Sequence, residues 1–273
     1  MISSPQIAKK LGQVIFGLAI LAFAIPVTAK AQAQALRVAA ASDLQFALPE
    51  LAKQYEKEFG VKLEVSYGSS GNFAAQIQNG APFDIFFSAD ISYPEALVRA
   101  GFADSSAIYS YGAGRIVLWV PADSPIDPAA LGWDSLTHPS VQKIAIANPE
   151  HAPYGRAARA ALQKAGLYDR VKSKLVFGEN ISQTAQFVQS GNAQVGIVAL
   201  SLAVSPAMSS GKRWEIPPDS YPPLLQAVVI LKNSSNKSAA DKFIAFLKID
   251  SAIATLARFG FGRSPASHPE PQR

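Results

Sequence analysis

The sequence predicts an α/β protein of two lobes, each built on a mostly parallel sheet, with a ligand cleft between them. Short apolar segments rich in β-formers alternate with amphipathic segments from Leu36 onward, as in proteins with parallel sheets. Proline-rich connections at residues 121–140 and 217–223 interrupt this alternation twice. Because they bracket a central stretch, the two ends of the chain are expected to build one lobe together. A cleft between the lobes is then the natural ligand site.

The first lobe is expected to begin with a strand at 36–41 and an amphipathic helix that ends at Gly60. Pro49 lies within the apolar repeat of this helix, which indicates that the helix begins late or kinks. The apolar residues of the repeat are Leu44, Leu48, Leu51, Tyr55 and Phe59. The other elements expected here are strands at 62–67, 84–88 and 225–231, a short helix around 73–77, a helix at 94–100 and one long helix at 239–259.

The second lobe is expected to contain strands at 143–147, 174–177 and 194–199 and helices at 156–165 and 182–190. A strong strand at 115–120 precedes the first proline-rich connection. These patterns divide the chain into four parts: a signal peptide at 1–35, a first lobe at 36–118 plus 227–264, a second lobe at 119–226 and a disordered tail at 265–273.

The N-terminal segment has the layout of a secretory signal peptide. Lys9 and Lys10 precede an apolar run from Val14 to Val27, and alanines at alternate positions allow cleavage near 31–35. The apolar run is shorter than the roughly 18 residues of a membrane span, although a short membrane anchor is the alternative. We therefore expect an exported, periplasmic protein.

Composition excludes several classes of function. The chain has no cysteine and three histidines, so disulfide frameworks and thiolate metal sites are excluded and a histidine-rich metal site nearly so. Removing residues 1–35 takes away three lysines and no acidic residue, which leaves 22 basic and 20 acidic residues. A near-neutral chain without basic runs offers no electrostatic footprint for nucleic acid.

Enzyme motifs are weak. The segment 68–71, Gly-Ser-Ser-Gly, lacks the spacing of a nucleophile elbow, and Gly112-Ala113-Gly114 precedes a strand where a dinucleotide fingerprint would follow one. A secreted serine hydrolase remains as one alternative: it would use Ser42 or Ser70 with His151 as the base and a carboxylate.

Polar or glycine-rich junctions follow four of the expected strands. They begin at Ser42-Asp43, at residues 67–72, at 148–155 and at 178–182. Helix starts carry unpaired N–H groups and a partial positive charge, so several that point at one spot form an anion site without Lys or Arg. The alternative for each single serine, asparagine or aspartate is an ordinary N-cap.

Six segments at these junctions and strands resemble the periplasmic molybdate-binding proteins of ABC transporters. The resemblance extends from about Arg37 to Gly262, and its motifs occur in the family's order. The segments are AAASDL (39–44), YGSSG (67–71), NGAPFDIFFSAD (79–90), NPEHAPYG (148–155), GENISQ (178–183) and VGIVALS (195–201).

This resemblance implies a type II periplasmic-binding-protein fold that closes over molybdate or tungstate, held by hydroxyls and backbone amides. Carried over to this chain, the ligands are the hydroxyls of Ser42, Ser70 and Tyr154 and the amides of Asp43 and Ile181. Some relatives offer a tyrosine at the position of Ala199, and Tyr154 is expected to replace that contact. The Asp43 carboxylate would face a dianion, so it is expected to turn away or to cap the helix.

The resemblance further implies a monomeric receptor that hands its anion to a membrane permease with its ATPase, binds no cofactor and catalyses no reaction. Within the same class, a receptor for phosphate or sulfate is the alternative. Phosphate keeps a proton and needs an acceptor, which Asp43 is able to supply. A structural or adhesive domain is a third hypothesis, and it predicts no saturable small ligand.

Overall fold

The computed structural model describes residues 35–263, whose strands form two five-stranded sheets. The signal peptide expected at 1–35, apart from Ala35, and the tail expected at 265–273 lie outside the described residues. In chain order the strands are β1 (Leu36–Ala41), β2 (Leu63–Gly68), β3 (Ile85–Ser88), β4 (Tyr109–Gly114), β5 (Ile116–Val120), β6 (Ile144–Ala147), β7 (Leu175–Gly178), β8 (Val195–Ala199), β9 (Lys212–Glu215) and β10 (Leu224–Ile230).

Helices cover both sheets, as the alternating sequence pattern predicts. In chain order they are α1 (Ala47–Phe59), α2 (Ser70–Gln78), α3 (Ser92–Arg99), α4 (Pro128–Leu131), α5 (Pro153–Lys164), α6 (Tyr168–Val171), α7 (Ile181–Gln189), α8 (Leu200–Ala203), α9 (Lys237–Phe246) and α10 (Asp250–Arg258). The α/β class expected from the sequence is confirmed.

The two sheets have the same plan. The first has the order β2-β1-β3-β10-β4 and the second the order β7-β6-β8-β5-β9. In the first sheet β1 is parallel to β2 and β3, whereas β10 is antiparallel to β3 and β4. In the second, β6 is parallel to β7 and β8, whereas β5 is antiparallel to β8 and β9. Each sheet is therefore mixed, with four strands in one direction and one reversed.

The reversed strands are those that enter a sheet from the other one. The chain leaves the first sheet after β4 and enters the second with β5, then leaves it after β9 and re-enters the first with β10. We call the part built on the first sheet the first lobe and the part built on the second sheet the second lobe. Drawn by sheet, the lobe boundaries would lie near Arg115 and within 216–223, whereas the sequence placed them after residues 118 and 226. The exact division into domains stays a proposal.

Two strands and one helix break were not predicted. β4 is rich in glycine and β9 is short and charged, so neither has a clear apolar alternation. Both lie at the edge of their sheet, and β4 makes one further bridge, from Ala113 to Gly262. The single helix expected at 239–259 is wrong, because Ile249 takes an extended conformation and divides it into α9 and α10. Asp250 then lies in the first turn of α10, where the helix dipole favours a carboxylate.

The first lobe has an apolar core on each face of its sheet. Phe87 packs with Tyr55 and Phe243 on one face, and its neighbour Phe86 packs with Phe73 on the other, as expected for alternating side chains of a buried strand. One larger core surrounds the second sheet. Within residues 35–263, no helix combines the length and apolar character needed to cross a bilayer.

The helix after β1 begins late, as Pro49 indicated. Ser42–Leu44 form a separate 3-10 turn, and α1 starts at Ala47. Pro49 falls in the first turn of α1, where its missing N–H leaves no helical hydrogen bond unmade. Gly60 ends α1 in the left-handed conformation, with φ of 70°. Ser42 and Asp43 consequently sit on a short turn between strand and helix.

Candidate functional site

The four junctions singled out in the sequence meet at one pocket between the lobes. The turn after β1 and the start of α2 reach it from the first lobe, and the starts of α5 and α7 reach it from the second. The carboxyl ends of parallel strands lie at one edge of a sheet, which places these junctions side by side. The lining residues are Ala41, Ser42, Asp43, Gly68, Ser69, Ser70, Ala89, Ala152, Pro153, Tyr154 and Ile181. All five predicted site residues are among them.

The size and charge of the pocket restrict its guest. Its cavity volume is about 10 Å³, far below the roughly 300–1,000 Å³ of sites for drug-sized ligands. Among the described residues, the lining contains no Lys, Arg or His. The pocket therefore fits a small ion or molecule and offers it hydroxyls, amides and one carboxyl.

Ser70 is oriented as a donor. Its buried Oγ accepts a hydrogen bond from the backbone N–H of Ala89, with an N···O distance of 3.0 Å. A hydroxyl has one proton to donate, and this bond leaves that proton free. Ser69 performs the capping role instead, since its Oγ accepts from the Asn72 N–H at 3.3 Å. Of the two adjacent serines, one caps α2 and the other offers its hydroxyl to the pocket.

Ser42 joins the two lobes. Its hydroxyl donates to Oδ1 of Asn180 at 3.1 Å and accepts from the N–H of Ser182 at 3.3 Å. Asn180 is the N-cap of α7, and its Oδ1 also accepts from the Gln183 N–H at 3.0 Å. The first N–H groups of α7, including that of Ile181, thus lie beside Ser42. A hydroxyl rotates about its C–O bond, so Ser42 is able to turn its proton from Asn180 to a guest.

Asp43 turns its carboxyl towards the second lobe. Its Oδ2 accepts hydrogen bonds from the Tyr154 hydroxyl at 2.8 Å and from Nε2 of Gln226 at 2.9 Å. Gln226 is held in turn by the Tyr111 hydroxyl, which donates to its Oε1 at 2.8 Å. Of the two roles expected for Asp43, turning away or capping the helix, the capping is wrong, since neither the turn it occupies nor α1 has a side-chain cap. The carboxyl instead holds the phenol that the resemblance assigned to the ligand.

Burial makes the Asp43 carboxyl hard to ionise. The side chain is 1% exposed, and its Oδ1 has no hydrogen-bond partner. Desolvation raises the pKa of Asp43 to about 7, against the lowering effect of its hydrogen bonds from Tyr154 and Gln226. Burial, and then the nearby Asp43 charge, also raises the pKa of Tyr154, which therefore remains a protonated phenol at neutral pH.

Gly114 makes room for this buried network. A Cβ at this position would overlap the Tyr154 hydroxyl and lie 2.7 Å from Nε2 of Gln226. Gly114 ends β4, immediately before the chain crosses to the second lobe. The network formed by Tyr111, Asp43, Tyr154 and Gln226 therefore lies where the chain crosses between lobes.

The lobes are in contact on both sides of the pocket. Beyond Ser42 and Asp43, the N–H of Gly71 donates to the carbonyl oxygen of His151 at 2.9 Å, and the Ser182 hydroxyl donates to Oε1 of Gln45 at 2.5 Å. Ala41 and Ala89 of the first lobe also belong to the buried core of the second. This is a closed arrangement that shields the pocket from water.

His151 does not form a catalytic pair with either candidate serine. Its Nε2 lies 3.0 Å from the carbonyl oxygen and 3.1 Å from Oε2 of Glu179. Among the described residues, no group of three or more His, Asp or Glu side chains is placed to hold a metal ion. The geometry that the serine hydrolase hypothesis requires is therefore not assembled here.

Sequence reasoning missed several residues around the pocket. Gln226 follows the second proline-rich connection on a strand predicted only as apolar core, and Asn180 and Ser182 were noted only as part of a junction. The Ser201 hydroxyl, which donates to the Asp43 carbonyl oxygen at 2.8 Å, was also missed. A polar glutamine within an apolar strand was the available signal for Gln226.

Comparisons with known proteins identify the family and the fold. A family model described as bacterial extracellular solute-binding protein matches residues 36–262. The molybdate-binding protein ModA of Azotobacter vinelandii is 38% identical over 235 residues, covering 85% of this chain and 91% of that protein. ModA of Rhodobacter capsulatus is 33% identical over 245 residues, covering 90% and 95%. The solved periplasmic molybdate-binding protein of Azotobacter vinelandii superposes with a TM-score of 0.79 at 34% identity, covering 84% of this chain and 99% of that one. The two-lobed fold expected from the resemblance is thereby confirmed.

Proposed function

This chain belongs to the bacterial extracellular solute-binding proteins, and we propose that it is the receptor that captures molybdate for an ABC transporter. Relatives named as molybdate-binding proteins and a solved structure with that title support the ligand. The observation that carries the proposal is the small closed pocket, lined from both lobes by hydroxyls and helix starts without a basic side chain.

We assign the anion contacts to the hydroxyls of Ser42, Ser70 and Tyr154 and to the amides of Asp43 and Ile181. All five residues line the pocket and are buried. Ser70 already has a free proton, and the start of α7 supplies N–H groups that a dianion favours. Tungstate has nearly the same size and charge as molybdate, so the same contacts serve both anions.

Tyr154 becomes a donor to the anion when Asp43 takes up a proton. In the arrangement described here, the phenol proton is directed at Oδ2 of Asp43. Once the carboxyl is protonated, it donates to the phenol oxygen across the same 2.8 Å, and the phenol proton turns to the guest. An incoming dianion favours this change because it disfavours a second negative charge nearby.

The remaining parts of the proposal follow from this role. We infer that the chain is exported by the segment 1–35, works outside the cytoplasm as a monomer, and passes its anion to a membrane permease with its ATPase. The receptor binds and releases its ligand without a cofactor and catalyses no reaction. Membership of the solute-binding family supports the receptor role. The contacts of His151 with Glu179, away from both candidate serines, support binding without catalysis.

A receptor for hydrogen phosphate is the second candidate. The observation in its favour is Oδ1 of Asp43, which is buried at the pocket without a hydrogen-bond partner and would accept the proton of such an anion. Molybdate and sulfate are fully deprotonated at neutral pH and need no acceptor. The two candidates thus differ in the state of Asp43, which is protonated for molybdate and ionised for phosphate.

Titration calorimetry on the chain without residues 1–35 tests the proposal, with molybdate, tungstate, sulfate and phosphate compared at pH 7. We expect saturable binding of molybdate and tungstate with a Kd of about 1 μM or below, and at least about a hundredfold weaker binding of the other two. Donors fixed at the radius of molybdate lie too far from the smaller sulfate. Sulfate or phosphate that binds as tightly as molybdate would contradict the proposal.

A further inference from the structure

An ion cluster outside the pocket joins the lobes. Arg156 lies in α5 of the second lobe, two residues after Tyr154, and its Nη2 donates to Oδ2 of Asp90 at 2.6 Å. Its Nη1 donates to the hydroxyl of Tyr93 at 2.8 Å, and its guanidinium carbon lies 5.3 Å from the centre of that ring. Asp90 and Tyr93 belong to the first lobe, and none of the three residues lines the pocket.

Asp90, the acidic partner of Arg156, is also held within its own lobe. Oδ1 of Asp90 accepts from the Ser92 N–H at 2.9 Å, at the start of α3, so this carboxylate uses one oxygen within its lobe and the other across the cleft. The charged side chains are about one-third exposed or less, at 33% for Arg156 and 27% for Asp90. A charge-assisted pair this far out of water is stronger than an ordinary surface ion pair.

The cluster lies next to the close backbone contact between the lobes. The N–H of Gly71 donates to the carbonyl oxygen of His151 at 2.9 Å, and a Cβ on Gly71 would lie 2.9 Å from the Tyr93 hydroxyl. Tyr93 therefore lies against both the Arg156 guanidinium and the backbone contact between Gly71 and His151. Opening the cleft on this side breaks the contacts of Arg156 and the Gly71 hydrogen bond together.

We propose that Arg156, through Asp90 and Tyr93, is the positioning residue that holds the lobes closed and thereby slows release of the bound anion, which it does not touch. The identity of the anion in this inference rests on the proposed function. The geometry of the cluster does not depend on that function. Because the cluster acts on closure, it strengthens the binding of every anion that fits by the same factor. The cluster therefore affects how tightly a bound anion is retained, and the pocket residues determine which anion is selected.

The experiment compares Arg156→Gln, Asp90→Asn and the double variant by calorimetry with molybdate and sulfate. We expect each single variant to weaken molybdate binding about tenfold and the double variant to be no weaker than the singles, because one interaction is lost in all three. The molybdate-to-sulfate ratio of affinities should stay constant. The matched control is Arg159→Gln, one turn further along α5, whose ion pair with Glu150 at 3.3 Å stays within the second lobe. It should bind within about twofold of the wild type.

A readout without anion separates this inference from the proposed function. Exchange of the Gly71 amide, followed by NMR, reports the lobe contact directly, whereas the Ala89 amide bonds within its own lobe. We expect Arg156→Gln to speed exchange at Gly71 about tenfold and to leave Ala89 unchanged. If the wild type binds no molybdate, the proposed function fails while the exchange result still tests the cluster. Unchanged exchange at Gly71, or additive losses in the double variant, would overturn the inference.

Discussion

The two lobes share one sheet plan but supply different chemistry to the pocket. In the first, the turns after β1 and β2 present the hydroxyls of Ser42 and Ser70. In the second, the junctions after β6 and β7 present the phenol of Tyr154 and the start of α7 at Ile181. Small serines leave room for a guest in one lobe, while a large buried side chain closes the space in the other. The scaffold places the junctions, and the residues that follow each strand determine what they bind.

The lobes also differ in what holds their donors. Ser70 is fixed within the first lobe by the Ala89 N–H, whereas Tyr154 is fixed across the cleft by Asp43. The Ser70 donor is therefore in place before closure, whereas Tyr154 takes its observed contact only after it, as does the first-lobe hydroxyl of Ser42, which bonds to Asn180 and Ser182. Variants at the Gly71 contact between the lobes, in each lobe and at Asp43 should have separable effects.

The largest effect is expected where the two lobes touch. A Cβ at Gly71 would lie 2.6 Å from the His151 carbonyl oxygen, so Gly71→Ala should keep the lobes apart and weaken molybdate binding by on the order of a hundredfold. Calorimetry measures this loss. Gly262→Ala is the control, since its Cβ would approach no closer than 3.6 Å to a neighbouring atom. A Gly71→Ala protein that binds within about threefold of the wild type would show that closure is not needed.

Ser70→Ala tests the donor of the first lobe. It removes a preset hydroxyl and leaves the Ala89 N–H without its acceptor. A charge-assisted hydrogen bond contributes about 1.5–3 kcal/mol, which corresponds to a loss of about ten- to a hundredfold in affinity by calorimetry. Ser124→Ala loses a similar bond, from the Ile126 N–H at 3.2 Å, away from the pocket, and should leave affinity unchanged. Equal losses in both variants would argue against a direct contact from Ser70.

Asp43→Asn tests the link between the lobes. With the pKa of Asp43 raised to about 7, the carboxyl loses its proton above that pH and Tyr154 again donates to it. Wild-type affinity for molybdate should therefore fall about tenfold from pH 6 to pH 8. The Asp43→Asn variant, which carries no titratable group at this position, should bind equally at both values. The same decline in the variant would place the titrating group elsewhere.

Asp43→Asn also tests the raised pKa of the Asp43 carboxyl in the absence of any anion. The folded pKa of Asp43, about 7, lies above the roughly 3.9 of an unfolded chain. The folded protein keeps this proton where the unfolded chain has released it. The contribution of the protonated carboxyl to the free energy of unfolding is therefore complete below pH ~4 and is lost as the pH rises to 7. This contribution is on the order of 4 kcal/mol. Urea unfolding should show this decline in the wild type and a flatter curve for Asp43→Asn.

The smallest effect is expected at His151, a second-lobe residue that is not among the residues lining the pocket. Its ring contacts Glu179, and its contact with Gly71 uses the backbone carbonyl, which His151→Ala retains. Affinity for molybdate should change by less than about twofold in calorimetry, the size of a surface effect. A loss comparable to that of Ser70→Ala would bring the imidazole into the binding site and revive the serine hydrolase hypothesis.

The sequence by itself determined the α/β class, most strands, the late start of α1 and the junctions that carry Ser42, Ser70, Tyr154 and Ile181. These features follow from local patterns: apolar periodicity, proline and glycine positions, and polar residues after strands. The resemblance to molybdate-binding proteins added the ligand, because six ordered motifs carry information that no single junction has.

The tertiary structure alone decided how those residues act. Asp43 meets Tyr154 and Gln226 across separations of 111 and 183 residues, and Arg156 meets Asp90 across 66. No local pattern encodes such partners, since they depend on how two sheets face each other. The raised pKa of Asp43 has the same origin, because it results from the exclusion of water once the lobes pack together.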